Sequence, residues 1–85
     1  AMVTLWQVSE PATATPFDRH QNVGLHHLAF RVDADALDNL ASALANRDDV
    51  LIEFAPSALR DGPTRHMMCR IPGNVRVEFI APVAA

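Results

Sequence analysis

The chain holds four histidines, ten carboxylates and seven basic residues, and every basic residue is an arginine. Imidazole can carry a proton near neutral pH or bind a metal through a bare ring nitrogen. Guanidinium keeps its charge and forks onto a carboxylate or a phosphate. Alternation sorts these groups onto faces, because successive side chains of a strand point to opposite sides. In residues 25–32, His27, Ala29 and Arg31 share one side, and Leu28, Phe30 and Val32 the other. In residues 65–71, His66, Met68 and Arg70 oppose Met67, Cys69 and Ile71. In residues 75–80, Arg76, Glu78 and Ile80 oppose Val75, Val77 and Phe79. Each strand therefore has one apolar row and one row bearing His, Arg or Glu. If the mixed rows share a sheet face, that face is either solvated or the floor of a cavity. The small Ala29 leaves room beside His27. His66 reads as an acid–base group, a metal ligand or a wall residue. Arg31, Arg70 and Arg76 read as a site for an anionic ligand, or as partners of Glu53, Glu78 and aspartates. His26 is expected on the face opposite His27, and His20 in an exposed linker.

The elements that must position these groups follow from pattern. Residues 3–8 are rich in β-formers and read as a strand, with Trp6 as a packing anchor. Residues 9–24 carry Pro11 and Pro16 and end at Gly24, an extended linker of about sixteen residues. Strand 25–32 follows, then Asp33 as an N-cap whose carboxylate can accept from free N–H groups. Residues 34–47 read as a helix with Leu37, Leu40, Ala41 and Leu44 on one stripe. Strands are expected at 50–54, 65–71 and 75–80. A loop at 55–64 holds Pro56, Gly62 and Pro63, and a tight turn lies at Pro72-Gly73-Asn74. The expected fold is α+β: one βαβββ unit with a curved mixed sheet, one covering helix and an additional N-terminal strand. The expected core is Leu28, Phe30, Val32, Leu37, Leu40, Leu44, Ile52, Met67, Val77 and Phe79. Cys69 lies on the helix-facing side and reads as buried and inert.

Composition bounds the function. Eighty-five residues make one small domain, which buries only about 60–65% of its unfolded surface and gains from a partner. An apolar fraction of 49% argues for a folded chain. A net charge of −3 without any basic run leaves no electrostatic footprint for nucleic acid. No apolar stretch approaches the ~20 residues of a membrane span, and no signal-peptide pattern opens the chain. Ala1 before Met2 reads as an expression remnant, and the cytoplasm is the expected compartment. No Ser-His-Asp set, Gly-rich phosphate loop or Cys-x-x-Cys is present.

Gly24-Leu-His-His-Leu-Ala-Phe-Arg-Val32, the Asp-capped helix, and Pro72-Gly-Asn-Val-Arg-Val-Glu-Phe79 together resemble one module of the vicinal oxygen chelate superfamily. That group includes glyoxalases, bleomycin-resistance proteins and extradiol dioxygenases. The resemblance covers residues 24–82. It implies a curved sheet that encloses a site with a second module, and metal ligands on the first and last strands. The matching positions are His27, which directly precedes the Leu-Ala-Phe-Arg-Val run, and Glu78. Two features depart from the pattern. Only one module is present, at 24–85, and residues 1–23 look like the remnant of a preceding one. Thr4 stands where that remnant strand would carry an acid. The Pro72–Asn74 turn also lacks the commoner Asp-Pro-Asp-Gly form.

One imidazole and one carboxylate are too few for a firm site, since zinc takes three or four protein ligands and non-haem iron two His and one carboxylate. A two-fold homodimer doubles the set. The resemblance thus implies a divalent ion (Zn, Ni, Mn or Fe) held by His27 and Glu78 at a dimer-shared site. There it would act on a small oxygen-bearing substrate, anionic if the arginines line the site, as a lyase, isomerase or dioxygenase. Glu78 would double as base, and Arg31, His66, Arg70 and Arg76 would contact the ligand. The competing expectations are a metal-free small-molecule binder of the bleomycin-resistance type, or a degenerate half-module.

Overall fold

The computed structural model describes Met2, Thr4, His20 and residues 25–82. The expected strand at 3–8, with Trp6, and the linker at 9–24 otherwise lie outside the described residues. Thr4 and His20 are exposed. The elements run β1 (Leu28–Arg31), α1 (Ala34–Ala45), β2 (Leu51–Ala58), β3 (Arg65–Ile71) and β4 (Val75–Ala81). They form a four-stranded mixed sheet in the order β1-β4-β3-β2, covered on one face by α1: an α+β fold. β1 runs parallel to β4, and the other pairs are antiparallel.

β1 is shorter than the alternation suggested. The parallel ladder begins at Leu28↔Val77, so Leu25, His26 and His27 precede the strand. The Val32 N–H still donates to the Ile80 carbonyl at 2.9 Å. Asp33 occupies the N-cap, but its side chain makes no capping bond, contrary to expectation. The helix nevertheless starts there, because the Leu37 N–H donates to the Asp33 carbonyl at 2.9 Å. α1 ends at Ala45, two residues early, where the Asn46 amide donates to the Ser42 carbonyl at 3.1 Å. That bond satisfies one of the orphan carbonyls that close any helix.

β2 extends through residues expected as loop. Proline has no N–H to donate, yet Pro56 sits inside β2 because β2 is an edge strand. Two register shifts, between Ile52 and Phe54 and between Phe54 and Ser57, let it follow β3. The β2–β3 turn places Arg60 and Asp61 at φ of 52° and 61°, and the Gly62 N–H donates to the Leu59 carbonyl. Between β3 and β4, Gly73 takes φ 91°, the left-handed position after a turn proline that glycine adopts without strain.

The core is Leu37, Met67 and Ala81, with Val32, Ala41, Leu44, Ile52 and Phe79 packed against it. Cys69 and Val77 are buried on the same side. Phe30 corrects the expected core: it stacks on Phe79 with ring centroids 6.0 Å apart, yet stays 38% exposed. Leu28 and Leu40 are half-buried. The reason is coverage. A helix of 12 residues packs over β2, β3 and β4 and makes no comparable contact with β1. No helix is long and apolar enough to cross a membrane among the described residues.

Candidate functional site

The sheet face away from α1 carries the mixed rows. Across it, Ala29, Glu78, Met68 and Phe54 form one rung, and Arg31, Ile80, His66 and Ser57 the next. Arg76, Arg70 and Leu51 form a third rung beyond Glu78. β4 is central, so Glu78 has neighbours on both sides and is only 8% exposed.

A buried carboxylate must be paired or hydrogen-bonded. Glu78 is held by two imidazoles. His27 Nε2 lies 3.0 Å from Oε1, and His66 Nδ1 lies 2.6 Å from Oε2. His27 reaches over the small Ala29, whose strand position pairs with Glu78. His66 reaches diagonally from β3, where it pairs with Ile80, the residue two beyond Glu78. Its ring rests on Phe54 with centroids 4.8 Å apart.

A second acid sits on the same face. The shift at Ile52–Phe54 brings both Glu53 and Phe54 to this side, which strict alternation forbids. Glu53 accepts a fork from Arg76, Nε to Oε2 at 2.8 Å and Nη2 to Oε1 at 3.2 Å. Arg70 Nε adds a third bond at 3.0 Å. The Arg76 bonds first, with Arg70 beside them, hold the Glu53 carboxyl down at about 2, against burial that works the other way. Arg76 is itself 7% exposed, and among the described residues no buried side-chain polar atom lacks a partner.

The two acids are linked. Arg76 Nη1 approaches the His26 ring nitrogens at 3.3 and 3.4 Å, and His26 Nδ1 lies 2.6 Å from His27 Nδ1. His26 is therefore on the His27 side, not the opposite one. Both histidines precede β1, so the pleat that alternates side chains does not govern them.

The expected site residues thus separate. His27, His66 and Glu78 come together. Arg70 and Arg76 come together, and both are bonded to Glu53. Arg31 is exposed and forms no hydrogen bond or ion pair among the described residues. His26 and Phe54 enter the cluster without a signal in the sequence, because one lies outside a ladder and the other follows a register shift. Cys69 faces the helix side, and burial, with Glu53 nearby, pushes its thiol up and away from the reactive thiolate. An open hollow of about 360 Å³ lies by Asp48, Leu51, Arg70 and Asn74, not at Glu78.

The donor types fit a divalent metal. The 3.0 Å between His27 Nε2 and Glu78 Oε1 is that of a direct N–H···O hydrogen bond, and since an ionised carboxylate only accepts, Nε2 carries the hydrogen. An ion on Nε2 would displace that hydrogen, and with the His27 hydrogen then on Nδ1, His26 Nδ1 is placed to accept it. One chain supplies only this pair. Among the described residues, no group of three or more His, Cys, Asp or Glu side chains is arranged to hold a metal ion. Comparison with protein-family models, with curated proteins and with solved structures found no match to the chain.

Proposed function

We propose that the chain is a dimeric, cytoplasmic metal-site protein of the vicinal oxygen chelate kind. His27 and Glu78 of two copies would hold one divalent ion. The observation that supports this is the Glu78 carboxylate, buried on a sheet face that no helix covers, with an imidazole nitrogen 3.0 Å from one oxygen. The ion would serve as a Lewis acid toward a small substrate with two adjacent oxygens. The residues divide the remaining work. The His27–His26 contact orients the imidazole, and a base role for Glu78 would require an oxygen released by His27 or His66. Arg31, which forms no ion pair among the described residues, is the cation left to meet a negatively charged substrate, while Arg70 and Arg76 are tied to Glu53. A second copy would complete the set, because one chain brings two donors, and Ala29 and Ile80 leave apolar surface on the mixed face for it to cover.

One observation favours a different reading, a metal-free binder. Both Glu78 oxygens already have partners, so the site is satisfied without an ion. Metal analysis and sedimentation on protein purified without a chelating tag separate the two. The metal reading expects a dimer with about half an equivalent of ion per chain. His27→Ala and Glu78→Ala each lose the ion and keep the dimer. A wild-type monomer at micromolar concentration, or a dimer without metal, sinks the shared site, and a small-molecule thermal shift then supports the binder.

A further inference from the structure

We infer that His66 is a positioning residue. It locks Oε2 of Glu78, so that Glu78 meets His27, and any ion bound there, through Oε1 alone. The second half of this statement rests on the metal reading above, and the first does not.

An ionised carboxylate only accepts hydrogen bonds, so His66 Nδ1 carries the hydrogen and donates to Oε2. At 2.6 Å this contact is shorter than the 3.0 Å between His27 and Oε1. Its donor is well held. The His66 side chain is 15% exposed, it stands on β3 within the sheet ladder, and its ring packs on Phe54. His27 by contrast lies ahead of β1 and is about twice as exposed, at 29%. The rigid partner therefore sets the carboxylate plane, and the looser His27 adjusts to it. A carboxylate with both oxygens free can take a metal with one or with both. With Oε2 on an N–H, only Oε1 is offered, which leaves more of the ion's positions to a substrate. Groups that orient a ligating carboxylate in this way typically change metal affinity by about 10–100-fold when removed.

The test uses wild type, His66→Asn and His66→Phe. Asparagine places an amide N–H near the position of Nδ1. Phenylalanine keeps a ring against Phe54 and removes the donor, and His66→Leu replaces it if the phenylalanine variant fails to fold by circular dichroism. The metal-free readout is the long-range proton–nitrogen spectrum of the His27 ring at one fixed pH. It should shift in His66→Phe and stay close to wild type in His66→Asn, because only the former frees Glu78. The second readout is cobalt(II) affinity by calorimetry, expected to fall about 10–100-fold in His66→Phe and to be largely restored in His66→Asn. A His27 spectrum unchanged in His66→Phe overturns the positioning role, whatever the metal does. If the spectrum moves but no protein, wild type included, binds cobalt, the grip on Glu78 stands and the metal reading fails. If the spectrum moves and cobalt affinity does not, Glu78 is positioned by His66 but is not a ligand.

Discussion

Two glutamates share one face of the sheet and are held in opposite ways. Glu53 is clamped by Arg76 and Arg70, and Glu78 lies between His27 and His66. Both carboxylates are largely buried and both have their oxygens bonded. The difference lies in the partners. A guanidinium cannot give up its proton in a protein, so the Glu53 clamp is permanent and its acid stays ionised to about pH 2. An imidazole can exchange its proton for a metal or pass it on. The arginine clamp is therefore structural, and the histidine bracket is where chemistry can occur. His26, touching both Arg76 and His27, joins the fixed region to the changeable one.

The largest way to break this contrast is Glu53→Gln. It leaves the buried Arg76 without its counter-charge and should destabilise the domain by about 3 kcal/mol, measured by urea denaturation. The low end of the range applies because the Arg70 side chain is 37% exposed. An unchanged midpoint would mean that the clamp is decorative.

Acid gives the next effect. The Glu53 carboxyl is lowered from 4.5 to about 2. A lowered acid contributes stability that is complete above the unfolded value and is lost as pH falls through the folded one. Stability should therefore drop between about pH 4.5 and pH 2, by on the order of 2 kcal/mol after allowance for solvent screening. Glu53→Gln should flatten that part of the profile. A slope that persists undiminished in Glu53→Gln assigns the titration to other groups.

Glu78→Gln should cost less, about 1 kcal/mol. The amide oxygen can still accept from one imidazole, and a buried charge is removed at the same time. A loss as large as that of Glu53→Gln would show that the histidine bracket is structural too. The smallest effect belongs to the exposed fork of Arg65 on Asp38, whose carboxyl is lowered chiefly by that bond. Asp38→Asn should leave the denaturation midpoint where it is, since exposed pairs contribute little.

The arrangement of the open face was legible in part. Alternation puts His66 with Arg70 and Glu78 with Arg76 within their own strands, and the register Met68↔Glu78 and Arg70↔Arg76 brings the two rows onto one face. It fails at two places, each with a cause. His26 lies ahead of β1, where no ladder imposes the pleat. Glu53 and Phe54 are adjacent in sequence yet reach the same side, because the register with β3 slips there.

What the sequence determined by itself is local. Apolar and mixed rows follow from a period of two, the helix from the spacing of Leu37, Ala41 and Leu44, and the β3–β4 turn from Pro72 and Gly73. Each depends on steric preferences of neighbouring residues, which travel with the chain. Only the tertiary structure decided the rest. The parallel pairing of β1 with β4 brings His27 to Glu78 across 51 residues of sequence, and the β3–β4 hairpin brings His66 to its other oxygen. The helix, spanning β2 to β4, leaves Phe30 uncovered. The edge position of β2 admits Pro56 and the slip that turns Glu53 onto its arginines. Strand order and register are settled by pairing between distant segments, and no short-range pattern encodes which carboxylate meets an arginine and which a histidine.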